Sequence, residues 1–301
     1  MQSLKYLFLT AALLPLPAFA DLNVFACEPH WAALVQEVGG SHVDVLSATG
    51  AYNDPHYIQA KPSLISRMRR ADLVVCNGGD LEVGWLPVLM QQGAGEKVQP
   101  GQPGYLDGSR DVKMLQVPAS VDRALGDIHP YGNPHYQTDP HNIAAVAAEL
   151  VQRMVQLDPG NAAEYQKRYA DFKARWDAAL KKWELEAAPL KGMKLIAYHD
   201  GWIYMSTWLG IDVVGFLEPK PGIPPSPSHL SELIALAKGQ QVQGIIYTPY
   251  EDPQAADWLA QRTGLATVAI PDTVGADEDK DLFAFYDYMI AQLLKLHGAV
   301  K

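Results

Sequence analysis

The chain has 301 residues, 48% hydrophobic and 19% charged, a globular balance that argues against disorder and leaves room for two lobes. Its formal net charge is −10 with no long basic run, which argues against nucleic-acid binding and against a polybasic membrane anchor. Two cysteines are too few for a zinc site made of thiolates.

Residues 1–20 read as a secretory signal peptide. Lys5 supplies the positive end, residues 6–16 form a short apolar core, and Ala18-Phe19-Ala20 is a small-x-small cleavage signal. The mature chain is expected to begin at Asp21 in the periplasm; a retained N-terminal anchor is the alternative. No cysteine sits at the cleavage point, so a lipid anchor is not expected.

The mature sequence opens with an apolar strand ending at Cys27, followed by Pro29 at the start of a helix that carries Trp31, Leu34, Val35 and Val38 on one face. Gly39-Gly40 stops that helix. Residues 43–47 read as a strand, 62–70 as a helix and 72–76 as a third strand, an alternation that predicts a parallel sheet with both faces covered. Residues 141–157 are apolar and alanine-rich at helical spacing. Asp158-Pro159-Gly160-Asn161 then breaks the chain and opens a second helix reaching about Leu185, with Tyr165, Tyr169, Phe172, Trp176 and Leu180 in one stripe. Without internal proline or glycine it should be a stiff rod of about 40 Å. The alternation resumes with strands at 194–198, 211–216, 244–248 and 267–270 and a terminal helix over 281–296. The predicted fold class is α/β: two doubly wound lobes, residues 21–157 and 191–301, joined by one long rigid helix within 158–190, with a ligand site in the cleft.

Within that plan His56 follows the second strand, His199 follows the strand at 194–198, and Asp272 follows the last strand. His135 lies in the turn-rich loop Gly132-Asn133-Pro134-His135. Open α/β sheets bind ligands outside the carboxyl ends of their strands, and three imidazoles with one carboxylate suit a borderline divalent ion such as zinc. Each histidine alone is more often a solvated loop side chain. His30, His42, His141, His229 and His297 read as structural or surface residues, whereas His129 and Asp200 are candidates for metal loading or for supporting the ligands. Cys27 and Cys76 end the first and third strands, which are commonly neighbours in such a lobe; a disulfide between them is expected, with two buried thiols as the alternative.

Asp54-Pro55-His56-Tyr57 with Lys61-Pro62-Ser63, Asn133-Pro134-His135-Tyr136 with Asp139-Pro140, and Tyr198-His199-Asp200-Gly201-Trp202-Ile203-Tyr204 with Leu209-Gly210 resemble, in order, the three metal motifs of the zinc/manganese substrate-binding proteins of ABC importers. The resemblance spans nearly the whole mature chain. It implies His56, His135 and His199 as ligands, with a carboxylate near the C-terminal end placed at Asp272. It also implies capture of zinc, or of manganese, for delivery to a membrane permease by a non-enzymatic protein expected to act as a monomer. Two features depart from the family: Tyr136 stands where tryptophan is common, and no long His/Asp-rich loop is present, residues 126–135 reading as a reduced version of it. A zinc hydrolase, with Glu251 or Asp200 as general base, and a metal-dependent adhesin are the alternative functions.

Overall fold

The computed structural model describes residues 21–122, 126–276 and 280–299; the expected signal peptide lies outside them. The first sheet is formed by β1 (Leu22–Ala26), β2 (Val43–Ser47), β3 (Leu73–Cys76) and β4 (Tyr105–Asp107), in the order β2-β1-β3-β4. The second is formed by β5 (Lys194–Ala197), β6 (Asp212–Phe216), β7 (Gly244–Tyr247) and β8 (Ala266–Ala269), in the order β6-β5-β7-β8. Every strand pairing in both sheets is parallel. The shared order puts a topological switch point beside the first strand of each sheet, where loops diverge and leave a crevice.

The sequences of the strands explain their burial on two sides. Val24, Ala26, Leu73 and Val75 face a core that extends through both lobes, while Phe25, Cys27, Val74 and Cys76 face a second cluster with Leu64, Met68 and Leu89. This second cluster is covered by α2 (Pro62–Met68) and by α3 (Leu86–Gly93), which escapes the sequence reading because it is short and begins beside Pro87. The three-residue β4 is too short to show a period. Cys27 and Cys76 form a disulfide with their Cα atoms 4.8 Å apart, as expected from the pairing of β1 with β3.

Between the sheets run α4 (Pro140–Leu157) and the 26-residue α5 (Ala162–Ala187), about 39 Å long at the ordinary helical rise. Asp139 caps α4 by accepting from the His141 N–H. Along α5, Tyr165, Phe172, Trp176 and Trp183 are buried against α1 (Pro29–Gly39) of the first lobe and the last helix (Leu282–Gly298) of the second. The Trp176 indole donates to Pro140 O at 3.0 Å and that of Trp183 to Asp287 Oδ1 at 2.6 Å, so neither N–H is buried without a partner. Because this apolar core is continuous from one sheet to the other, separating the lobes would expose it. No helix among the described residues is long and apolar enough to cross a membrane.

Candidate metal centre

The carboxyl ends of both sheets face the crevice, and the loops leaving them carry the predicted residues. His56 lies between β2 and α2, His135 just before α4, and His199 just after β5. Ring nitrogens of all three lie within 4.8 Å of one another. Their ring centroids are 5.3 to 5.6 Å apart, so the rings converge on one point without stacking.

Local chemistry sets the direction of each ring. The Asp54 carboxylate accepts both the His56 backbone N–H at 2.9 Å and His56 Nδ1–H at 2.7 Å, a tight turn that leaves the Nε2 lone pair pointing toward the other imidazoles. Burial works against the Asp54 charge, but the bonds from His56 outweigh it and hold the carboxyl below its usual range. His199 Nδ1 lies 2.7 Å from Glu218 Oε2, which frees its Nε2 in the same way. His135 is held through its backbone N–H, which donates to Asn133 Oδ1 at 3.0 Å, while Asn133 Nδ2 donates to Asp200 O at 2.6 Å and ties this loop to that of His199. Nε2 of His135 is buried without a partner. Burial, followed by the neighbouring His56 and His199, lowers the His135 pKa well below the usual range and keeps the ring neutral. At His199 burial also disfavours the charge, yet the Glu218 contact prevails and the net shift is upward.

Asp272 follows β8 and is buried, but it is not among the atoms within the 4.8 Å span of the three histidines. Tyr250 donates to its Oδ2 at 3.3 Å and its Oδ1 has no partner. Burial pushes its carboxyl up to about 6. The orphaned His135 Nε2 and Asp272 Oδ1 are the kind of atoms that a bound cation would satisfy. His129 comes closer than its sequence position suggests: its Nε2 is 3.3 Å from His56 Nε2. A bond from its ring to the Asp80 backbone favours the protonated ring, but burial and the nearby histidines dominate and push it down to about 4. Asp200 instead faces outward to Gln116 Nε2 at 3.2 Å.

His30, expected to be a structural or surface residue, is structural. Its Nδ1 meets Thr273 Oγ1 of the second lobe and its Nε2 meets Asn77 Oδ1, both at 2.8 Å, leaving no ring nitrogen for a metal. Asn77 is a buried hub whose Nδ2 also donates to Pro134 O and to Gln137 Oε1; Gln137 Nε2 donates to Asp272 O. Sequence reading missed this hub together with Asp54 and Glu218. The Asp-x-His spacing of the tight turn could have revealed Asp54; nothing local points to Glu218, which arrives from the loop after β6. Among the described residues the other compact group of ligand-type side chains, Cys27, Cys76 and Glu82, has both sulfurs in the disulfide.

Residues 24–299 match the family model described as "Zinc-uptake complex component A periplasmic". The manganese ABC transporter substrate-binding lipoprotein PsaA of Streptococcus anginosus is 21% identical over 282 residues, 91% of this chain and 88% of the relative. The high-affinity zinc uptake system protein ZnuA of Brucella abortus is 24% identical over 159 residues, 53% of this chain and 47% of the relative, so this chain spans about half the length of that protein. A crystal structure of ZnuA superposes with a TM-score of 0.76 at 19% identity, covering 93% of this chain and 100% of the other. The laminin-binding adhesin Lmb of Streptococcus agalactiae superposes at 0.72 and 19% identity, covering 93% and 100%. Structural likenesses at this identity show the shared fold alone, whereas the match of the family model over residues 24–299 shows the family. The chain belongs to the zinc-uptake component A family, the zinc- and manganese-binding substrate-binding components of ABC transporters, which carry a metal and catalyse no reaction.

Proposed function

We propose that this protein is exported through its N-terminal signal peptide, captures one zinc ion in the periplasm as a monomer and delivers it to an ABC permease. His56, His135 and His199 are the core ligands, Asp272 the carboxylate that closes the shell, and residues 21–157 and 191–301 the lobes that supply two ligands each. The observation that carries this reading is the convergence of the three rings, two of them with Nδ1 engaged by a carboxylate and Nε2 left for the metal. A shell of three imidazoles and one carboxylate favours compact four-coordination and places manganese far below zinc in affinity.

His129 has a separate support, the 3.3 Å approach of its Nε2 to that of His56, which favours a loading role in which it holds the ion transiently beside the other imidazoles. Glu251, the alternative hydrolytic base, accepts the Thr248 N–H at 2.6 Å, an engagement with its own loop.

Titration of chelated apoprotein should saturate at about one equivalent of zinc, and His56→Ala, His135→Ala or His199→Ala should each weaken binding by about 100-fold or more, beyond the 10–100-fold of an outer-shell change. Competition at equal free metal should favour zinc over manganese, and His199→Glu should narrow the gap by adding an oxygen ligand. Wild-type affinity in the His56→Ala and His135→Ala variants would refute the site; equal affinity for both metals would refute the preference.

A further inference from the structure

A strap of the first lobe, residues 126–129, lies at the mouth of the crevice and is fastened in two directions through Asp127. The Asp127 backbone N–H donates to Pro221 O in the second lobe at 2.9 Å. The Asp127 carboxylate accepts from Tyr57 Oη in the first lobe at 2.5 Å. Tyr57 is the residue after His56, and His129 is two residues beyond Asp127, so the fastening joins the backbones of two histidines that face each other. On the far side, the Gly222 N–H donates to Glu218 Oε2 at 3.1 Å, the same oxygen that orients His199. The strap and the loop it touches are therefore linked to His56, His129 and His199 by single hydrogen bonds or single residues.

Two glycines show how closely the segments approach. A Cβ at Gly126 would lie 2.4 Å from Pro221 O, and one at Gly222 would lie 2.3 Å from Asp127 Oδ2; both residues have positive φ, +89° and +75°. Any side chain at either position would separate the segments as well as strain the turn. Asp127 also lines three cavities of about 230, 260 and 530 Å³, each of which reaches at least one of His56, His129, His135 and His199. The three openings toward the histidines thus share one wall.

We propose that Asp127 is a retention residue, its bonds to Tyr57 and Pro221 latching residues 126–129 across the mouth of the crevice so that the latch sets how fast the metal enters and leaves. The inference rests on the reading of the three histidines as the metal site. With the lobes fixed by a shared core, a small latch at the mouth is the element that can open without unpacking either lobe. Both Tyr57 and Asp127 are exposed, so the latch is accessible to a docking partner and weak enough to open on its own. Its bond to Asp127 pushes the Tyr57 hydroxyl up to about 12, so it remains a donor throughout the physiological range.

The test is the rate of zinc release from the loaded full-length mature protein into excess chelator, measured beside the loading rate and the equilibrium affinity. Tyr57→Phe removes the side-chain bond without changing charge and Asp127→Ala removes it together with the charge, both leaving the backbone bond to Pro221 O; each should release and load zinc about tenfold faster, with affinity changed less than about threefold. Asp127→Asn keeps an acceptor for Tyr57 and should stay near the wild type. Gly222→Ala, which wedges the segments apart, should resemble Asp127→Ala. Release from Tyr57→Phe at the wild-type rate would overturn the latch, and so would affinity falling in step with faster release, since Asp127 would then hold the metal rather than the gate. Acceleration in Asp127→Asn without acceleration in Tyr57→Phe would overturn it in favour of simple charge attraction. If the wild-type protein takes up no zinc, the site reading fails and the latch with it; one-to-one binding with uniform release rates defeats the latch alone.

Discussion

His199 Nδ1 and Glu218 Oε2 stand 2.7 Å apart in the second lobe, and the same carboxylate oxygen takes the Gly222 N–H at 3.1 Å. The pair fixes the tautomer of His199 and raises the basicity of the nitrogen turned toward the other imidazoles. Glu218→Gln should keep the geometry while removing the charge and lower zinc affinity by about 10–100-fold, the usual cost of an outer-shell change. Asp54→Asn should act likewise through His56. Chelator competition on the two variants checks this; unchanged affinity in both would mean that the carboxylates only pack against the rings.

Metal binding should weaken as pH falls, because protons compete for the same lone pairs. The His199 pKa is raised on balance, the pull of Glu218 prevailing over burial, so this ring protonates first on acidification. His135, lowered well below the usual range by burial, stays neutral and ready to bind. Because the His199 value is raised, the loss should begin above the ordinary imidazole value of about 6.5 and steepen toward pH 5. Zinc affinity measured in steps from pH 8 to pH 5 should show that fall, and a flat profile would contradict an imidazole site.

The buried Glu82 predicts the opposite trend for folding of the apoprotein. Burial pushes its carboxyl up to about 7 from an ordinary 4.5, and burial together with Glu82 raises the neighbouring Glu28 well above the same value. A raised folded pKa means that the contribution is fully present below about 4.5 and is lost as pH rises through 7. Thermal melts of metal-free protein should therefore show the wild type losing more stability between pH 5 and pH 8 than Glu82→Gln does. Parallel curves would show that Glu82 is not the group responsible.

The Cys27–Cys76 bridge closes a loop with a sequence separation of 49, and by loop-closure entropy its removal should cost about 4 kcal/mol. A Cys27→Ser, Cys76→Ser double variant compared with the wild type by urea denaturation measures this. A thiol reagent applied to denatured, unreduced protein should find no free cysteine; two labelled positions would show that the bridge does not form.

Much of the architecture was legible in the sequence because it is written in local periods. Val24 and Phe25, or Val74 and Val75, need only alternate to cover two faces of a parallel sheet, and the stripe from Tyr165 to Leu180 needs only helical spacing to seat α5. The same locality let His56, His199 and Asp272 be placed at strand ends, where a crevice must form. What tertiary structure alone decided is which of these groups meet. His30 sits as near a strand end as His56 does, yet its ring is consumed by Thr273 and Asn77, 243 and 47 residues away along the chain. His129 reaches His56 across 73 residues, and Glu218 reaches His199 from the loop after the neighbouring strand. Such encounters depend on how two sheets and one long helix share a core, and no short window of residues carries that information. Local spacing determines which face or end a side chain occupies; long-range packing determines its partner, its charge state and whether it is left free to hold a metal.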